Sequence, residues 1–112
     1  MRGEQVAARF LVARGYAIEA RNVRFPVGEI DLVAREGQTL CFVEVRSASS
    51  SQWGGPLGSI TERKRRRLIR AAQWYLQRLR TLPASTRFDV VAIAWQDGRA
   101  SPELIQGAFT AD

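Results

Sequence analysis

The chain has 112 residues, 46% of them hydrophobic and 25% charged, which suits one globular domain with a modest core and excludes wholesale disorder. Seventeen Lys and Arg against eleven Asp and Glu give +6, which fits either a polyanionic partner or no more than a charged, soluble surface. The absence of His and the single Cys41 exclude His-based triads, His-ligated zinc and an internal disulfide, so any metal must be held by oxygen.

Residues 3 to 14 read as a helix, because Val6, Phe10 and Ala13 share a stripe widened by Ala7 and Leu11, and Gly15 stops it. Glu4 lies in its first turn, where the helix dipole favours an acid, and spacing alone gives it no further role. Residues 17 to 25 are extended and partly polar, like an edge strand, and Pro26-Val27-Gly28 turns the chain. No apolar run approaches the roughly 20 residues of a membrane span. Arg9 and Arg14 break up the N-terminal apolar residues, so the expectation is a cytoplasmic protein with no membrane partner.

Gly28 to Ala34 and Leu40 to Arg46 form the next two arms, rich in Val, Ile, Leu and Phe around Gly37, and read as a β-hairpin. Glu29, Asp31, Glu44 and Arg46 interrupt strands that otherwise look buried. A buried charge is costly unless it is paired or bound to a metal. Side chains alternate faces and opposed partners share one. A two-residue turn, Glu36-Gly37 or Gly37-Gln38, therefore puts Glu29, Asp31, Glu44 and Arg46 on one side and Ile30, Leu32, Val43 and Val45 on the other. A three-residue turn would split the acids.

Residues 47 to 59 are small, polar and Gly-rich, the composition of a flexible surface loop, with Trp53 its one large apolar residue. Ser59-x-x-Glu62 is a capping-box pattern, so a long helix is expected from there to about residue 82, with Leu68, Ala72, Tyr75 and Leu79 on its buried stripe and Pro83 at its exit. Its first turns carry Arg63, Lys64, Arg65, Arg66, Arg67 and Arg70. Residues 61 to 80 alone sum to +7 and the rest of the chain to −1. Such a run is commonly a solvated face, yet cations at a helix N-terminus oppose the dipole and repel one another. A nucleic-acid backbone would account for them, since bound cations displace condensed counterions. Thr86 to Trp95 alternates as a strand inside the sheet, Gln96 to Arg99 is a turn, and Leu104 to Phe109 is a short last strand. The order is α-β-β-β-α-β-β in a single domain spanning residues 1–112.

Asp31 and Glu44 on one face suit Mg²⁺ or Mn²⁺, which take carboxylate oxygens together with water and substrate phosphate. The competing account is a salt-bridge cluster in which Arg46 and Arg87 neutralise Glu29 and Asp31.

The blocks Gly3-Glu4, Gly15-Tyr16, Arg21-Asn22, Gly28-Glu29-Ile30-Asp31-Leu32-Val33, Phe42-Val43-Glu44-Val45-Arg46, Lys64, Ala71, Tyr75-Leu76 and Arg87-Phe88-Asp89-Val90-Val91 resemble the YraN-like family of small bacterial proteins. That family is similar to Holliday-junction resolvases and other restriction-endonuclease-like nucleases. The resemblance implies an α/β, restriction-endonuclease-like core, a mixed sheet flanked by helices, acting on DNA. It matches Asp31 and Glu44 to the metal-binding carboxylates and Glu4 to the additional acid of resolvase-type members. Arg46 stands where the superfamily has Lys, and Arg cannot deprotonate water, though it can steady phosphate charge. Lys64 is the one nearby amine in the sequence that could substitute. The resemblance also implies a homodimer, with Trp53, Trp74 and Trp95 as interface candidates if exposed. Three readings stay open: a Mg²⁺-dependent endonuclease for structured or branched DNA, a non-catalytic nucleic-acid-binding module, and a protein-interaction domain.

Overall fold

Alternation along the inner strands decides the layering. The computed structural model describes residues 2–49 and 60–111. Its elements are α1 (Arg2–Ala13), β1 (Ala17–Phe25), β2 (Gly28–Glu36), β3 (Thr39–Ser49), α2 (Glu62–Gln77), β4 (Ser85–Gln96) and β5 (Arg99–Phe109). On β3, Cys41 and Val43 join Leu32, Ala34, Val91 and Ile93 under Ala7, Ala8 and Leu11 of α1. Leu40 and Phe42 go the other way, with Val33 and Phe88, under Leu68, Ala71 and Ala72 of α2. Both faces of the sheet are thus covered, each by one helix, which is why the inner strands read as nearly unbroken apolar runs.

The strands lie in the order β1-β2-β3-β4-β5. The β3–β4 pair is parallel and the other three are antiparallel. A parallel neighbour cannot be reached by a tight turn, and α2 provides the crossover. The result is a mixed five-stranded sheet flanked by two helices, an α/β fold consistent with a restriction-endonuclease-like domain. Among the described residues, no helix is long and apolar enough to cross a membrane.

Several boundaries move. Ser47–Ser49 continue β3 in parallel register with Ile93–Trp95 instead of opening a loop, because β4 offers them a partner strand. The remainder of the expected loop, Trp53 included, lies outside the described residues, as does Ser59. The N-cap of α2 is Thr61, whose hydroxyl accepts from the Lys64 N–H at 3.2 Å. The helix ends at Gln77, short of the expected residue 82. The last strand begins five residues early, at Arg99, because Asp97 (φ +52°) and Gly98 (φ +75°) close a tight hairpin turn of the left-handed kind. Pro102 is tolerated in it because β5 is an edge.

Candidate functional site

The β2–β3 hairpin turns on Gly37-Gln38, with Glu36 opposite Thr39 and Leu32 opposite Val43. This is a two-residue turn, and in its register Asp31 and Glu44 are the next opposed pair. The ladder, however, stops at Leu32 and Val43. Beyond it the Val45 N–H is donated to Asp31 Oδ2 at 2.8 Å, so a side chain occupies the place of a backbone acceptor. On the other side Asn22, opposite Asp31, has φ +51°, a left-handed conformation that Asn tolerates better than most residues. The β1–β2 register nevertheless runs unbroken past Asn22, its one shift lying between Ile18 and Ala20. Ile30 packs with Val33 and Phe42 under α2, while Leu32 stays under α1, so the strict face assignment for Ile30 does not hold. Leu32, Val43 and Val45 share the α1 side as expected.

The opened end of the sheet presents the acids. Asp31 and Glu44 meet through a side-chain hydrogen bond. Two carboxylates this close disfavour each other's charge, so the protonated form of the pair is favoured. Burial first, and then the Asp31 charge, push Glu44 up to about 7; Lys64 pulls in the opposite direction. Burial likewise raises Asp31, opposed chiefly by the Val45 N–H. Two hollows share the pair. On the α1 side Arg2, Gly3, Glu4, Val45, Ser47 and Trp95 join Asp31 and Glu44 around a volume of ≈ 440 Å³. On the α2 side Glu29, Lys64, Arg67 and Leu68 join them around ≈ 120 Å³.

Glu4 is only 6% exposed, and its Oε1 has no hydrogen-bond partner among the described residues. Burial and the Asp31 charge raise its pKa, while a hydrogen bond from Asn22 lowers it. A buried carboxylate of this kind lining a hollow with two more carboxylates is more than a helix-dipole residue requires. Among the described residues, still, no three acidic or thiol groups stand close enough to cage an ion by themselves. A hard cation here would complete its shell with water or ligand oxygens.

The remaining sequence candidates are placed as follows. Arg46, half-buried on β3, lowers the Glu44 pKa by its charge. Arg63, Lys64, Arg65, Arg66, Arg67 and Arg70 are all exposed on α2, and of these only Lys64 and Arg67 line the acid cleft. Trp74 and Trp95 are half-buried: Trp74 packs on Phe25, and the Trp95 Nε1–H donates to Ser47 Oγ beneath the Arg2 guanidinium.

The salt-bridge alternative is differently composed from the expectation. Glu29 meets Arg24 at 3.6 Å. Arg87 sits at the opposite end of the sheet, bonded to Asp89, Glu36 and the Tyr16 hydroxyl at 2.8–2.9 Å. Arg87 therefore cannot neutralise Asp31. Sequence reading missed Asn22, left-handed in an edge strand and hydrogen-bonded to Glu4, although an Asn amid strand-forming residues was a visible signal. It also missed Asp89, which is fully buried within that second network; the Arg87-x-Asp89 spacing, two residues on one strand face, could have disclosed it.

Known proteins resemble this chain along most of its length. The model of the family described as "Uncharacterised protein family UPF0102" matches residues 3–93. A UPF0102 protein of Symbiobacterium thermophilum is 52% identical over 110 residues, covering 97% of this chain and 93% of that protein. Others from Desulfosudis oleivorans and Moorella thermoacetica are 48% and 47% identical, with 98% and 96% of this chain covered and 88% and 91% of theirs. The acids at the open sheet end and the basic helix over them both fall within the matched region, and the chain belongs to the UPF0102 family, the YraN-like group.

Proposed function

We propose that this protein is an endonuclease-like phosphodiester hydrolase, dependent on Mg²⁺ or Mn²⁺, that binds structured or branched DNA as a homodimer. The observation that carries the reading is the Asp31–Glu44 pair at an opened sheet end, with Glu4, whose Oε1 has no hydrogen-bond partner among the described residues, bordering the same hollow. These residues fit a hard divalent ion: Mg²⁺ is usually held by one or two carboxylates, with water and phosphate oxygens completing its shell. Asp31 and Glu44 would hold the ion and Glu4 would assist. When bound, such an ion supplies a Lewis acid for the phosphate and activates water. Arg46 stays protonated and steadies charge developing on the phosphate. Arg63, Lys64, Arg65, Arg66, Arg67 and Arg70 draw in the backbone through counterion release.

The test is a Mg²⁺ and Mn²⁺ titration against branched, flapped and duplex DNAs, comparing wild type with Asp31→Ala. Metal-dependent nicking that disappears in the variant, while DNA binding survives, is expected; equal cleavage by Asp31→Ala overturns the mechanism. One observation favours a second reading. Arg46 cannot serve as a base where the nuclease superfamily has Lys, which suits a nucleic-acid-binding module with a degenerate site. That module binds in a salt-sensitive way and cleaves with no divalent ion, and Arg46→Lys would then be the variant to awaken activity. Absence of DNA binding even at low salt points instead to a protein-interaction domain.

A further inference from the structure

The six cations of α2 do not share one environment. Arg66 is tied to Glu62 at 2.7 Å, and the Arg65 guanidinium lies 5.7 Å from the centre of the Phe109 ring. Lys64 and Arg67, three residues apart and so on one side of the helix, line the cleft with Glu29, Asp31 and Glu44. Among the described residues neither is in ion-pair contact with a carboxylate. Lys64 is nevertheless near enough for its charge to lower both Asp31 and Glu44. Opposite charges thus face each other across a gap that they do not close.

The gap is held open by backbone. A Cβ on Gly28 would lie 2.4 Å from the Arg67 carbonyl oxygen, so β2 and α2 already touch main chain to main chain just beside the acids. The ≈ 120 Å³ between the walls is well above the ~10–15 Å³ that a single water requires.

We propose that this cleft is the seat of one phosphodiester phosphate, held by Lys64 and Arg67 on the α2 wall and, through a shared divalent cation, by Asp31 and Glu44 on the other. The proposal rests on the metal-dependent reading above and deepens it. Arg offers a planar fork to phosphate oxygens and Lys a compact charge, a combination suited to a tetrahedral anion. Arg63 and Arg70, outside the cleft, contribute only attraction to the polyanion at large.

The sign of a divalent effect separates the two groups. Away from the acids, divalent cations compete with the protein for DNA phosphates and weaken binding. In the cleft, phosphate relieves the repulsion between the cation and Lys64 or Arg67, so cation and DNA strengthen one another reciprocally. The experiment measures affinity for a branched DNA at fixed ionic strength, with and without Ca²⁺, in wild type and in Asp31→Ala, Lys64→Met, Arg67→Met, Arg63→Met and Arg70→Met. Circular-dichroism melts verify folding, and Mg²⁺-dependent cleavage is assayed separately.

A gain of about fivefold or more with Ca²⁺ is expected in wild type, lost in the first three variants and kept in Arg63→Met and Arg70→Met. The last two should instead each flatten the salt slope by about one. A wild-type protein with no Ca²⁺ gain, or Lys64→Met and Arg67→Met variants that keep it, overturns the phosphate seat even if the protein cleaves DNA. The expected pattern without any cleavage leaves the seat standing and removes the hydrolase reading.

Discussion

Glu44 is costly to ionise where it sits. Its pKa of about 7 against an ordinary 4.5 means that the folded state takes up a proton more readily than the unfolded chain between those values. The stability associated with that proton is present below pH 4.5 and is lost as pH rises through 7. One pKa unit corresponds to about 1.4 kcal/mol, so after allowance for partial solvent screening the loss by pH 8 is on the order of 2 kcal/mol. Asp31 is shifted in the same direction and adds to it. Glu44→Gln should therefore melt higher than wild type at pH 8, with little difference at pH 4, and Mg²⁺ at pH 8 should raise the wild-type melting temperature but not that of the variant. Parallel melting curves across this range would show that the pair carries no such burden. The meeting of Asp31 and Glu44 was legible from residue type and parity. The upward shift of both pKa values was not, because it depends on burial.

At the scale of elements, the decisive contact is between the start of β2 and the middle of α2. The requirement for glycine at position 28 is spatial, since any Cβ would strike the Arg67 carbonyl. Gly28→Ala must push α2 outward, and overpacking of this kind typically costs about 1–3 kcal/mol. Chemical denaturation should show that loss. A fully stable Gly28→Ala protein would mean that α2 is free to slide. Periodicity located the helix well, but its ends followed local hydrogen bonding: the Thr61 hydroxyl caps the start, and the chain leaves at Arg78, whose guanidinium turns back to the Trp74 carbonyl at 2.8 Å. Neither cap has a counterpart in hydrophobic spacing.

For the molecule as a whole, the two ends of the sheet have opposite characters. One is open, with carboxylates facing the cations of α2 across a cleft. The other is closed around Asp89, which is fully buried and accepts from Arg87, the Tyr16 hydroxyl and the Gly107 N–H. Arg87 also bonds Glu36, and Gln106 bonds the Tyr16 hydroxyl, so this network joins the exit of α1, the tip of the β2–β3 hairpin, β4 and the edge strand β5. Removing one partner from a buried charge network commonly costs about 3–5 kcal/mol. Asp89→Ala should lose about 3 kcal/mol in denaturant titrations. A neutral effect on stability would make the network ornamental to the fold.

The sequence by itself determined the element order, the hairpin about Gly37, the identity of the acids and the concentration of charge on α2, because each is a property of neighbouring residues and their spacing, whereas the turn length was settled by the register of β2 on β3. Only the tertiary structure decided which cations meet the acids, that Ile30 leaves the α1 side, and that Arg87 serves Asp89 instead of Asp31. Those outcomes turn on tertiary contacts such as the approach of α2 to Gly28, and a distance between elements far apart in the chain is set by packing, which no local pattern encodes.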